Sequence, residues 1–201
     1  MEESFRTLGG ELRHETDKVK GSRFLATAAP VQTEEAAREL LERVRKTHHD
    51  ARHHGSAWRM RGGEFRYSDD GEPSGSTGKP ILAAIDGREL VDVAVVVTRW
   101  FGGTKLGVGG LMRAYGGAAA AALDRAEVIT VTVERCFRLA YPYECSGAVQ
   151  GLLAETGLQP RSADYGAEVV LEISMPLRAC EAFLAQFIER TAARGVAREL
   201  N

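Results

Sequence analysis

"DVAVVVTRWFGGTKLGVGG", residues 92–110, runs from an unbroken apolar segment straight into a glycine-rich loop. The first part, DVAVVVTRWF (92–101), is continuous and β-branched, which predicts an interior strand buried on both faces. The residues after the loop, LMRAYGGAAAAALDRA (111–126), read as a helix whose alanines and glycines allow close packing on a sheet. On the N-terminal side, residues 11–17 and 22–31 read as strands joined by a turn at Lys20-Gly21. Thr33 is placed to cap a helix running to about His48, with Glu34 and Glu35 at its positive end and Arg45 and Lys46 at its negative end. Ala36, Ala37, Leu40, Leu41 and Val44 form its buried stripe. Residues 53–61 and 64–68 read as a hairpin around Gly62-Gly63, and Pro80 suits the first turn of a short helix ending near Gly87.

From Val128 the order changes. Residues 128–140 read as strand, 142–155 as helix, 158–164 and 168–175 as strands, 177–193 as helix and 196–200 as strand. That is β-α-β-β-α-β, the order of the ferredoxin-like split unit. An α+β chain of two domains, residues 1–130 and 134–201, is therefore expected. A hydrophobic share of 44% with 27% charged residues is that of a soluble globular protein. A net charge of −2 excludes an all-over nucleic-acid-binding coat but leaves room for a local basic patch. The first thirty residues carry no apolar signal segment, and no later run reaches membrane-spanning length. The three cysteines show no zinc-like spacing and read as reduced thiols, so a cytoplasmic protein is expected.

Two loops hold the candidate chemistry. "RYSDDGEPSGSTGKPIL" (66–82) looks at first like a phosphate-binding P-loop. The spacing fails, because position 73 is proline and Pro80 follows Lys79. Ser74, Ser76 and Thr77 at a helix start either hold an anion, with Lys79 close by, or simply cap that helix. Asp69, Asp70 and Glu72 are oxygen ligands without the spacing of a calcium loop. Ser74 lacks the surroundings of a nucleophile elbow, and a Ser74–His53–Asp69 triad would be defined by geometry that sequence alone does not carry. His49 and His53 would share a helix face only if the helix continued, and a helix-to-strand break falls between them.

Residues 43–66 carry seven Arg or Lys against Asp50 and Glu64, interleaved with Trp58 and Phe65 and followed by Tyr67. Such a segment suits RNA backbone with base stacking, and equally a solvated strand pair with core-facing aromatics. In the glycine loop, Arg99 stands at a strand end, and Gly102, Gly103, Lys105 and Gly107 lead into a helix N-terminus. No acid occurs between Asp92 and Asp124, while Arg99, Lys105 and Arg113 do, so this patch attracts anions. It is not a dinucleotide fingerprint, because position 112 is Met.

Three segments, "DARHHGSAW", "SDDGEPSGSTGKPIL" and "VVVTRWFGGTKLGVGGLMRAYGGA", together closely resemble the YigZ/IMPACT family. The resemblance covers roughly residues 15–125 strongly. It implies a first domain similar to the second domain of ribosomal protein S-five, a sheet with helices on one side. It also implies a ferredoxin-like second domain similar to the last domain of elongation factor G. In eukaryotes the family is tied to translational control through the activator of the general-control kinase, so a looser role near ribosomes or RNA carries over. Where family members often read His-Asn-Cys this chain has His53-His54-Gly55, which removes cysteine chemistry there.

The expectation is a protein without catalysis, cofactor or metal that engages RNA, the ribosome or translation-associated proteins. Its binding residues would be Arg99, Lys105, Arg113, Gly102, Gly103, Gly107, Asp69, Asp70, Ser74, Thr77, Lys79 and His53, with Trp58 and Trp100 as stacking candidates. The rival readings are an enzyme acting on a phosphorylated or peptide-like small molecule between loops 69–79 and 99–110, and a protein-binding adaptor.

Overall fold

The computed structural model describes residues 3–200. The chain divides into two compact units, residues 5–131 and residues 132–200 with 3–4. The first unit is built on five antiparallel strands: β2 (Leu12–Glu15), β3 (Arg23–Pro30), β4 (His53–Arg59), β5 (Phe65–Ser68) and β6 (Val93–Trp100). Their spatial order is β2-β3-β6-β4-β5, which puts β6 in the centre. Three helices complete the layers: α1 (Glu34–Thr47), α2 (Gly78–Asp86) and α3 (Val108–Leu123).

Because both faces of β6 are apolar, both must be covered. Val93, Val95 and Val97 pack with Ile81 and Ile85 of α2 and Tyr115 and Ala119 of α3. Ala94 and Val96 pack with Ala37, Leu40 and Val44 of α1. The sheet thus carries helices on both faces, which corrects the one-sided layout implied by the family resemblance. Thr33 caps α1 as expected, its hydroxyl accepting from the Ala36 amide at 3.1 Å. The turn before β3 follows Lys20 and Gly21, both at positive φ.

The strand read over 128–140 is two strands, broken at Val133: β7 (Val128–Thr132) and β8 (Glu134–Tyr141). β7 pairs with β1 (Ser4–Leu8), a strand the sequence reading missed.

The second unit follows the order β8, α4 (Ser146–Thr156), β9 (Pro160–Tyr165), β10 (Val169–Pro176), α5 (Cys180–Arg190) and β11 (Val196–Leu200). Its sheet is antiparallel in the order β11-β8-β10-β9. Burial alternates along β10, so one face is dry and the other open. The dry face packs Leu139, Tyr141, Leu171 and Ile173 against Leu152 of α4 and Phe183 and Phe187 of α5. Single 3-10 turns at Tyr143–Cys145 and Leu177–Ala179 occupy the first residues of the helices expected from 142 and 177. Among the described residues no helix is long and apolar enough to cross a membrane.

Candidate functional site

The acidic loop after β5 is turned inward. Asp69 accepts hydrogen bonds from the amides of Gly75, Thr77 and Gly78 and from the Thr77 hydroxyl, at 2.7–3.0 Å. It therefore caps α2 from eight residues upstream, and the anion held at that helix N-terminus is the protein's own. Burial alone would raise the Asp69 carboxyl, but these bonds outweigh it and hold it below the ordinary aspartate range. Thr77 is fully buried and Ser76 is closed onto the Pro73 carbonyl at 2.6 Å. The expectation that Asp69 and Thr77 meet a ligand is corrected accordingly. Ser74 and Lys79 remain exposed, Lys79 with its ammonium 6.0 Å from the Tyr67 ring.

Asp70 is also engaged within the fold. One carboxylate oxygen accepts from Arg45 at 2.6 Å and the other from the His54 amide at 2.7 Å. Its carbonyl lies 2.8 Å from His53 Nδ1. A carbonyl only accepts, so Nδ1 carries the proton and Nε2 is left as the free ring nitrogen. The neighbouring His54 is buried against Thr98, and burial pushes its imidazole below the ordinary range.

Glu72 is the acid that reaches the glycine loop. It pairs with Arg99 at 2.5 Å, the two side chains being 7% and 4% exposed. Tyr115 of α3 donates to the same carboxylate oxygen at 3.1 Å, and Arg99 donates to the Ser22 hydroxyl at 3.2 Å. Burial, then the Glu72 carboxylate, pushes the Tyr115 phenol far up, so it stays protonated and donates. Arg99 spends one arm on Glu72 and the other on Ser22 rather than presenting its fork at the loop mouth, which corrects its assignment as a free phosphate contact. Gly102 is likewise structural: a Cβ there would lie 1.9 Å from the Gly21 carbonyl carbon, and its amide donates to Ser22.

These loops border a half-open cavity of about 430 Å³. Arg52, His53, Glu72, Arg99 and Lys105 line it on the polar side, with Phe101, Leu106 and Val108 among its apolar walls. Gly107 lies at its edge as the N-cap of α3, so the first amides of that helix open beside it. The formal charge of the lining is three cations (Arg52, Arg99, Lys105) less one carboxylate (Glu72), a balance of +2. Gly103 is exposed in the same loop, and Arg113 folds its guanidinium back toward Gly109 in the first turn of α3.

The basic excess of residues 43–66 does not survive folding intact. Arg43 pairs with Glu11, Arg45 with Asp70, Arg59 with Asp86 and Arg66 with Glu34. Among the described residues, Lys46, Arg52 and Arg61 of that segment, and Lys105 and Arg113 beyond it, make no ion pair. The two stacking candidates are also occupied. Trp58 packs on the cluster beneath α1, and Trp100 donates to Asp50 at 2.9 Å with Arg23 over its ring.

Sequence reasoning weighed Glu72 only as a cation ligand and missed Tyr115 as a site residue. No local signal singles out Glu72 among the three acids of its loop as the partner of Arg99. Arg52 was counted in the basic segment without being singled out.

The comparisons with known proteins agree with this architecture. The Impact N-terminal domain matches residues 20–123, and a domain of unknown function, DUF1949, matches residues 139–194. The chain is 35% identical to the IMPACT family member YigZ of Escherichia coli over 178 residues, covering 86% of this chain and 87% of that protein. It is 44% identical over 160 residues to an IMPACT family member of Thermus thermophilus, covering 79% and 86%. A crystal structure of a hypothetical protein, 31% identical, superposes with a TM-score of 0.74 over 100% of this chain and 99% of that one. With two domains matched in tandem and relatives aligned along most of its length, the chain belongs to the IMPACT family and is YigZ-like.

Proposed function

We propose that the protein is a cytoplasmic, non-catalytic factor that binds RNA or ribosomal particles and modulates translation. The observation that carries this reading is the set of unpaired cations beside the α3 N-terminus. Arg52, Lys105 and Arg113 have no carboxylate within ion-pair distance among the described residues, whereas most of the neighbouring arginines do. Cations left free beside exposed helix amides suit phosphate. The three acids of the loop 69–72 are spent on a helix cap, a loop tie and a buried ion pair, which counts against their use as catalytic bases. A finer fold assignment accompanies this function. The first unit is taken as similar to the second domain of ribosomal protein S-five, and the second as ferredoxin-like, similar to the last domain of elongation factor G. The order β11-β8-β10-β9 in a β-α-β-β-α-β chain supports the latter.

The test is the salt dependence of RNA affinity. Three phosphate contacts predict that log K for a single strand falls by about 2 per decade of salt, at roughly 0.7 per contact. Lys105→Glu with Arg113→Glu should flatten that slope. Binding to translation-associated proteins that ignores salt would favour the adaptor reading instead.

A further inference from the structure

We infer that the cavity between the loops takes one nucleotide with a terminal phosphate monoester, either free or at the end of an RNA chain. This rests on the reading of the α3 N-terminus as a phosphate-binding face, and narrows it from a polymer backbone to a chain end. Three observations lead there. The first is size: about 430 Å³ lies in the lower part of the range for small-molecule sites, enough to seat one nucleotide.

The second is charge. The lining carries a formal +2, and the free amides at the start of α3 add a positive dipole end. A phosphodiester brings one negative charge, whereas a phosphate monoester carries about −1.5 to −2 at neutral pH. The monoester matches the lining; the diester leaves a cation unmatched. His53 adds to the match, because its Nδ1 is fixed on the Asp70 carbonyl and Nε2 has no partner among the described residues. Protonated, that nitrogen donates to a phosphate oxygen; neutral, it accepts from a singly protonated phosphate.

The third is the apolar wall. Phe101 lines the cavity and is 46% exposed, and Val108 beside it is 52% exposed. Phe101 lies with the Arg99 guanidinium 5.4 Å from its ring centroid. An aromatic ring left half in solvent beside a cationic cavity offers a base a stacking surface. Glu72 and Arg99 hold the two loops at a fixed spacing around this space, so the pocket is formed before any ligand arrives.

The experiment uses the full chain with one short RNA oligonucleotide in three forms: 5′-phosphorylated, 3′-phosphorylated, and hydroxyl at both ends. AMP and inorganic phosphate are titrated beside them, against wild type, Lys105→Ala and Phe101→Ala. Both substituted side chains are exposed, so unchanged melting temperatures are expected to accompany the binding data. A terminal phosphate should tighten RNA binding about tenfold, the equivalent of one good charge-assisted contact, and AMP should displace that RNA. Phe101→Ala should weaken AMP about tenfold, as loss of a stacked base does, while inorganic phosphate is unaffected. Lys105→Ala should weaken both. If AMP binds saturably and no RNA form does, the cavity assignment stands with a free nucleotide as its ligand, and the RNA reading falls. If all three RNA forms bind equally and AMP does not compete, the assignment is overturned while the RNA reading survives. Absence of binding by AMP, inorganic phosphate and every phosphorylated end overturns it as well.

Discussion

At the scale of single residues, the carboxylates of the loop 69–72 show how far position governs role. Asp69 holds four donors and keeps α2 started, so Asp69→Ala should cost about 2 kcal/mol, the sum of a lost cap and lost charge-assisted bonds. Because its folded carboxyl lies below its unfolded value, its contribution is present above the unfolded value of about 3.9 and is lost as pH falls through the folded one. Urea melts at neutral and acid pH should show a shallower acid limb in Asp69→Asn than in wild type. Equal acid limbs would mean the carboxylate contributes nothing beyond an amide. Glu72 and Arg99 are a different case, a nearly dry ion pair. Removing either partner strands the other charge, with an expected loss of about 3–5 kcal/mol. Arg99→Lys keeps the charge but surrenders the second arm that reaches Ser22, so it too should lose stability. The double variant Glu72→Gln with Arg99→Met should be milder than the sum of the single changes by about 1 kcal/mol or more. Additive losses would show that the pair is not coupled.

At the scale of elements, α3 tests the same logic through backbone rather than charge. Gly107 sits at φ 73°, ψ 163°, a region essentially reserved for glycine, and a Cβ there would meet no heavy atom within 4 Å. Gly107→Ala should therefore cost about 1–3 kcal/mol through strain alone. Gly117, in the exposed middle of the same helix, also has open space for a Cβ, and Gly117→Ala should stabilise by about 0.5–1 kcal/mol. Opposite signs in two thermal melts are the expected result; matching signs would put the difference down to something other than backbone conformation. The elements themselves were largely legible because their causes are local. A run of β-branched residues without a polar face makes β6 interior, and Thr33 before Glu34 and Glu35 starts α1. The site was less legible because its causes are not local. Glu72 and Arg99 stand 27 residues apart, and nothing near either announces the other. The basic excess of residues 43–66 misled for the same reason. Its carboxylate partners Glu11, Glu34, Asp70 and Asp86 all lie outside the window in which the charges were counted.

At the scale of the whole molecule, burial is partitioned. The buried members of the clusters around β6 come from residues 8–123, and those of the second unit's cluster from residues 137–187. A large side chain removed from one cluster leaves no cavity in the other. Leu152 of α4 is fully buried in the second cluster, and truncating a buried leucine to alanine typically costs about 2–5 kcal/mol. For a unit of roughly seventy residues, each kcal/mol moves the melting temperature by about 4–8 °C. Leu152→Ala should therefore lower the second unit's transition by about 8 °C or more. The transition of the first unit should stay in place, with the slow amide exchange of β6 unchanged as its marker, because its hydrogen-bonded core has lost nothing. Calorimetry of the full chain, with exchange measured at β6 and β10, separates the outcomes. A drop confined to β10 is what separate cores require, whereas loss of protection at both strands together would mean that the chain melts as one cooperative block despite its divided core.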